Sequence, residues 1–316
     1  MSYNTREMTV AALRSVESAC RDVELELIVV DNASSDGSAD AIADLLRDAF
    51  DGRGVLIASP ENLGFGRANN VAAERAVGQR LLLLNPDTLV LPGAVRALLD
   101  FADRTPSAGI WGGRTYRDET RTQLDPHSAW RRMTLWSVFC YATGILRLFP
   151  RSGLFNPEGY GSWDRLSERE VDIVTGCFFL IDRGLWDRLG GFDPRFFMYA
   201  EEADLCLRAR KLGARPRFTP AAEIVHFGGA SERYPAGKIV KLFAGKISLA
   251  MKHWSSARAT VARWLYLFAA LLRMTIFGAV ARITRRPSHM AAARTWSEVW
   301  ARRKEWSRGF PDPDPA

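Results

Sequence analysis

The chain has 316 residues, 47% of them hydrophobic and 25% charged, a balance that builds a globular protein with a sizeable core and excludes a disordered or fibrous one. Its net charge of +7 is uneven: 16 Lys and Arg face 5 acids from residue 232 onward, and 27 face 31 before it. The basic excess, confined to an aromatic-rich C-terminal stretch with no nucleic-acid-binding motif, fits an anionic surface and excludes nucleic acid as an expected partner.

In chain order, residues 1–16 read as the end of a strand followed by a helix. The start is polar and lacks an apolar run of signal-peptide length. Residues 24–30 predict a strand ending at Asp31, then a Ser/Gly loop over 32–38 and a helix from residue 39. A strand that delivers an acid into such a loop is a usual seat for a nucleotide in an open α/β sheet. The same residues also suit an ordinary capped turn. A short strand over 55–58 leads to ENLGFGRANN and a helix through residue 77. Its spaced glycines let backbone approach a ligand, and the helix N-terminus favours phosphate or sugar oxygens. Residues 79–84 are a buried strand that ends in Asn85-Pro86-Asp87-Thr88. A carboxylate there can hold Mg²⁺ or Mn²⁺ against diphosphate oxygens, and the four residues also make a good type I turn.

A helix over 93–103 and a strand over 109–113 follow. From 115 to 169 the pattern loosens into a mixed-charge stretch, an apolar aromatic piece at 134–149 and a Gly/Pro loop. That insertion reads as an acceptor-side lid, its apolar piece either a core helix or a cover for a lipid portion of the acceptor. Residues 175–181 are again a buried strand, and Gly190-Gly191-Phe192-Asp193-Pro194 is dense turn chemistry. Glu201, Glu202 and Asp204 then open a helix that stops at Gly213. Carboxylates in a first turn are held ionised by the helix dipole, as a general base requires. The plainer reading is that they cap the helix, with Arg208 pairing to Asp204 at i+4. Short strands at 215–218 and 223–225 lead to His226, a metal-ligand candidate at a strand end.

The stretch 235–253 is a basic helix, and 261–281 is apolar but interrupted by Arg263 and Arg273. A span needs about 20 residues with few charges, and Arg273 near mid-membrane would cost ~2.5 kcal/mol or more. The expectation is therefore an interfacial helix on the membrane's inner, cytoplasmic face. The four cysteines are scattered without a CxxC pair, which suits a reducing compartment and packed thiols.

The phrase GGFDPRFFMYAEEADLCLRARKLG closely resembles the corresponding segment of family 2 glycosyltransferases, above all the rhamnosyltransferase-like branch. VDNASSDGS, ENLGFGRANN, NPDT and HFGGAS match that family's other motifs in order, over residues 1–231. The resemblance implies a GT-A fold: an α/β, Rossmann-like, mostly parallel sheet with helices on both faces, here at 1–231; the basic, aromatic stretch 232–316 beyond it reads by its composition as a helical membrane-associating tail. The resemblance also implies inverting transfer of a sugar from a dTDP- or UDP-sugar, dTDP-L-rhamnose by the NPD variant, to a hydroxyl of a saccharide acceptor, and the basic, aromatic tail suggests that the acceptor is lipid-linked. Glu202, or else Glu201, is then the base; the family usually has Asp at position 202. Asp87 and His226 bind a divalent cation, Mg²⁺ or Mn²⁺. Tyr3, Asn4 and Asp31 hold the nucleoside, and Asn62, Gly64, Asn69 and Asn85 flank it. In the family, apolar residues precede the Ser2-Tyr3-Asn4 triplet and form an interior first strand, so a displaced start is expected. Two other classes are a non-catalytic GT-A scaffold and a sugar-phosphate nucleotidyltransferase; the GxGxR-type loop of the latter is absent.

Overall fold

The computed structural model describes residues 1–228 and 235–312. The expected Gly229-Ala230-Ser231 end of the histidine phrase and the last four residues lie outside them. The chain forms two compact units: Met1–Arg131, Trp163–Pro194 and Glu202–Ser231 in the first, and Arg132–Ser162, Arg195–Glu201 and Glu232–Ala316 in the second.

In the first unit, α1 (Arg6–Ala19), β1 (Leu27–Asp31), α2 (Ser38–Ala49), β2 (Gly54–Ala58) and α3 (Gly64–Arg75) alternate, followed by β3 (Arg80–Leu84), β4 (Thr88–Val90), α4 (Ala94–Arg104) and β5 (Ile110–Tyr116). The short β6 (Ala129–Trp130) precedes the second unit's α5 (Leu135–Thr143) and α6 (Ile145–Leu148). The chain then returns through β7 (Arg169–Glu170), β8 (Ile173–Val174), β9 (Phe178–Asp182), α7 (Arg183–Leu189), α8 (Glu201–Lys211) and β10 (Arg217–His226). The remaining helices are α9 (Pro235–His253), α10 (Ser256–Thr284), α11 (Pro287–Ala301) and α12 (Arg303–Trp306).

The main sheet runs β3-β9-β5-β10-β4, with β7 on β10. Its ladders are mixed rather than mostly parallel: β5–β10 is parallel, whereas β9 enters antiparallel between β3 and β5, and β4 and β7 are antiparallel to β10. The two short strands expected around 215–225 are one strand. Its register shifts between Thr219 and Glu223, where Pro220 lacks a ladder N–H. Leu13, Val16, Ile42, Leu46, Leu98 and Phe101 from α1, α2 and α4 cover Val29, Trp111, Phe178 and Ile224 of the strands, which builds the core on apolar area withdrawn from water.

β1 and β2 form a separate parallel pair. Ser2 enters a parallel bridge to Asp31, with its N–H donating to Val30 O at 2.8 Å and its O accepting from Asn32 N–H at 2.8 Å. Between β1 and β3 lies a slot of about 170 Å³, lined by Met1, Leu27–Val29 and Leu81–Leu84 among others. Among the described residues the β1 and β3 edges facing it carry no ladder partner beyond the Ser2 bridge at the end of β1.

The second unit is helical. Thr134 caps α5 in a reciprocal box with Ser137. Phe243 of α9 is its aromatic hub, with ring centroids 5.9 Å from Tyr141, 5.0 Å from Tyr266 and 5.0 Å from Trp306. Lys246 meets Glu158 at 3.1 Å, and Ser137 Oγ donates to the same carboxylate at 2.6 Å.

Candidate active site

The nucleotide-side residues gather at the end of β1. Asp31 is buried; its Oδ2 accepts from Ser34 N–H at 3.0 Å, and its Oδ1 has no hydrogen-bond partner. A buried carboxylate oxygen left unmatched is costly in a site that serves only structure, and it is a ready acceptor for a ligand hydroxyl or base. Asn4, at a left-handed φ of 51°, accepts from Ser35 N–H at 2.8 Å and donates its own N–H to Ser34 Oγ at 2.9 Å. The triplet therefore braces the Asp31 loop, with Tyr3 half-buried beside it.

Asn32, fully buried, links this loop to the next. Its Nδ2 donates to Asn62 Oδ1 at 2.9 Å, and its Oδ1 accepts from Leu63 N–H at 2.8 Å. Asn62 Oδ1 also accepts from Gly64 N–H, and Gly64 adopts φ +76°, which opens α3. Asn69 lies inside α3 and donates to Phe65 O at 2.8 Å. The neighbouring Asn70 makes the long-range tie: it donates to Phe192 O at 2.8 Å and accepts from Phe192 N–H at 2.9 Å.

A second cluster forms where β4 starts and β10 ends. Antiparallel pairing sets Thr88 opposite His226. His226 Nε2 stands 3.3 Å from Asp87 Oδ1 and 3.5 Å from Asn85 Nδ2. Burial opposes the imidazolium, but the Cys177 sulfur and the Asp87 carboxylate more than offset it, so His226 titrates well above the usual histidine range. Asp87 Oδ1 and His226 Nε2 are spaced as two neighbouring ligands of one small cation are, so the pair fits a divalent ion. Asn85 Oδ1 is buried without a partner beside them. Among the described residues no group of three or more His, Cys, Asp or Glu is set for a metal.

The acidic helix start joins the first unit's clusters through Gly176. A Cβ built there would lie 3.6 Å from the Phe65 ring and 3.7 Å from Glu202 Cβ. On the other side, Cys177 O accepts from Asn85 N–H at 3.1 Å. Phe65 in turn packs on Phe192, with centroids 5.8 Å apart. Asp31, Asn62, Asp87, His226 and Glu202 are therefore linked by short contacts at one end of the strands.

The three carboxylates of α8 differ. Asp204 is fully buried and meets Arg208 Nε at 2.7 Å; Arg208 also donates to Leu189 O at 2.7 Å and Gly191 O at 2.8 Å. That is a brace for the Gly190-Gly191 turn. Glu202 is half-buried beside Gly176 and Phe65, and Glu201 is buried in the second unit. Just before them Tyr199 and Ala200 hold left-handed φ of 71° and 75°, a costly pair for residues with a Cβ. Within the second unit α9 packs its Gly245 onto the Tyr199 carbonyl. Sequence reasoning missed Phe65, Asn70, Gly176 and Cys177. The signals available were the second asparagine of the 69–70 pair and the small Thr175-Gly176-Cys177 break between two strands.

The model of the glycosyl transferase family 2 domain matches residues 1–189. The N-acetylglucosaminyl-diphospho-decaprenol L-rhamnosyltransferase of Mycobacterium tuberculosis is 32% identical over 257 residues, which span 76% of this chain and 79% of that one. The rhamnosyltransferase WbbL of Escherichia coli is 27% identical over 180 residues, 54% of this chain and 63% of that one. In three dimensions the chain resembles a mannosyltransferase from Pyrobaculum calidifontis solved with GDP-Man and Mn²⁺. The TM-score is 0.59 at 15% identity, covering 97% of this chain and 86% of that one, and the shared architecture is the expected GT-A fold. A family model over more than half of the chain, and a relative this similar over most of both lengths, make this protein a glycosyltransferase of family 2.

Proposed function

We propose that the enzyme transfers L-rhamnose, with inversion, from dTDP-rhamnose to a hydroxyl of a lipid-linked, diphosphate-bearing saccharide. The observation that carries this reading is the run of contacts joining Asp31, Asp87–His226 and Glu202 through Asn62, Phe65 and Gly176. The M. tuberculosis relative, whose name gives a rhamnosyl donor group and a decaprenol-linked N-acetylglucosamine acceptor, supports the sugar and acceptor class.

In this reading Asp31, with Oδ1 open, and the Tyr3–Asn4 brace hold the nucleoside. Asn62, Gly64, Asn69 and Asn85 shape the pocket wall around the diphosphate. Asp87 and His226 would hold a divalent cation, Mg²⁺ or Mn²⁺, beside the donor's diphosphate. When bound, the cation offsets the charge that builds on the leaving diphosphate. Glu202 takes the proton of the acceptor hydroxyl as that oxygen attacks the anomeric carbon from the face opposite the leaving group. Its side chain is one methylene longer than the family's usual aspartate, so the acceptor oxygen sits correspondingly farther from α8. In this reading the reaction takes place on the inner, cytoplasmic side of the membrane.

The test is transfer from labelled dTDP-rhamnose to a short-chain prenyl-diphosphate N-acetylglucosamine, read by chromatography. Glu202→Gln is expected to lower turnover by a factor of about 10²–10⁴ while calorimetry finds dTDP binding unchanged. Unaltered turnover in that variant overturns the base assignment. Transfer from another nucleotide sugar in preference to dTDP-rhamnose overturns the donor.

A further inference from the structure

We propose that the second unit seats on an anionic lipid surface through the outward stripe of α10, with the helix lying along the surface and not through it. Val261, Trp264, Phe268, Leu271, Ile276 and Ile283 recur at helical spacing and are exposed, Trp264 at 65% and Ile283 at 82%. Apolar side chains of that size rarely line one helix face in water without a partner. Between Val261 and Ala279 this stripe carries no charge: Arg263 and Arg273 fall on other sides of the helix. Exposed arginines stand at its two ends, Arg258 before it and Arg282, Arg285 and Arg286 after it. A dry lane with cations at both ends and an indole near one of them matches a headgroup boundary.

The opposite face settles the orientation. Ala259, Ala262, Ala269 and Ala270 are buried and small, which lets α5, α9 and α11 pack closely. Arg273 belongs to this inner face. It donates to Ala142 O at 3.2 Å and to Tyr141 O, and its guanidinium lies 4.6 Å from the Tyr141 ring and 5.3 Å from that of Trp296. The arginine that interrupts the apolar run is therefore satisfied inside the protein and leaves the outward lane uncharged. The helix is long and apolar enough to cross a membrane, and its buried residues, Ala259 to Arg273, lie on one side of it. Spanning would carry its neighbours into hydrocarbon, with the exposed Lys238 of α9 and Arg294 and Glu298 of α11. Lying along the boundary immerses the stripe alone. A bilayer, and not a second copy of the chain, is the occupant favoured by the arginines, which would repel their equivalents across a symmetric contact.

The inference is independent of donor and acceptor, and its test needs neither. The full chain is sedimented with vesicles of phosphatidylcholine alone or mixed with phosphatidylglycerol. Binding is expected only to the mixed vesicles and to weaken with salt. Trp264→Glu/Phe268→Glu is expected to lower partition at least roughly tenfold, and Arg282→Gln/Arg285→Gln to lower it several-fold, with circular-dichroism melts matching the parent. Brominated lipids are expected to quench the parent more than Trp264→Phe, and more from bromines near the headgroup than at the chain end. Parent-like partition by the double Glu variant overturns the proposal. So does strongest quenching from the bilayer centre, which marks a span, or a lipid-free dimer that the Glu variant dissociates.

Discussion

Replacing Arg208 by Met separates the structural carboxylate of α8 from the chemical one. Arg208 is mostly buried and makes three strong contacts: Nε to the fully buried Asp204 at 2.7 Å, and two guanidinium bonds to Leu189 O at 2.7 Å and Gly191 O at 2.8 Å. Met keeps the apolar stem and the volume, so the loss is electrostatic and not a cavity. Depriving a buried carboxylate of its charge partner costs about 3–5 kcal/mol. For a unit of this size that is a drop in Tm of roughly 10 °C, read by near-UV circular dichroism or calorimetry. Removing both charges, in Asp204→Asn/Arg208→Met, is expected to cost clearly less than the sum of the two single variants, because no charge then stays buried. Below its melting range Arg208→Met is expected to retain measurable transfer, since Arg208 braces the Gly190-Gly191 turn while Glu202 stands beside Gly176 and Phe65. An Arg208→Met protein that melts within about 2 °C of the parent would refute the bracing role.

Three further outcomes are expected. Chelation is expected to abolish transfer and added Mn²⁺ to restore it; His226→Ala and Asp87→Asn should each raise the Mn²⁺ concentration for half-activity at least roughly tenfold, read from titrations at fixed donor. Equal Mn²⁺ dependence in all three proteins would remove both residues from the metal site. Gly245→Ala would set a Cβ 2.4 Å from the Tyr199 carbonyl, and overpacking of that kind costs about 1–3 kcal/mol, read as a lower Tm. Burial raises the Cys206 thiol to about 12, and burial with the nearby Asp22 raises Cys20 to about 11. A raised thiol pKa keeps these groups protonated at pH 8, so native protein is expected to react slowly with a thiol reagent and fully once denatured. The sign of the linkage is that this stability is complete below the ordinary thiol pKa and declines as pH rises past it.

The parts of the site that were readable in advance are those whose cause is local. Asp31, Asp87 and His226 each close or border an apolar strand, and a strand followed by a turn residue announces its own end. The Asp204–Arg208 pair follows from an i,i+4 spacing alone. What stayed hidden depends on contacts across the chain. Nothing near Asn70 tells that it ties Phe192, 122 positions away. Cys177 reads as a packed thiol, and its place beside His226 exists only because β9 inserts between β3 and β5 and carries the preceding turn to Asn85. Pro220 made one long strand look like two, since a proline is judged by the ladder bond it cannot make and not by the register shift that accommodates it. Arg273 is the clearest case. In the sequence it is a charge inside an apolar run and counts against a membrane span by α10. In the fold the Tyr141 and Ala142 carbonyls accept its protons and two aromatic rings flank it, so the charge faces inward. A linear hydropathy profile averages the two sides of a helix. The side that decides what α10 touches is set by which residues α5, α9 and α11 cover, and that is a property of the packed unit.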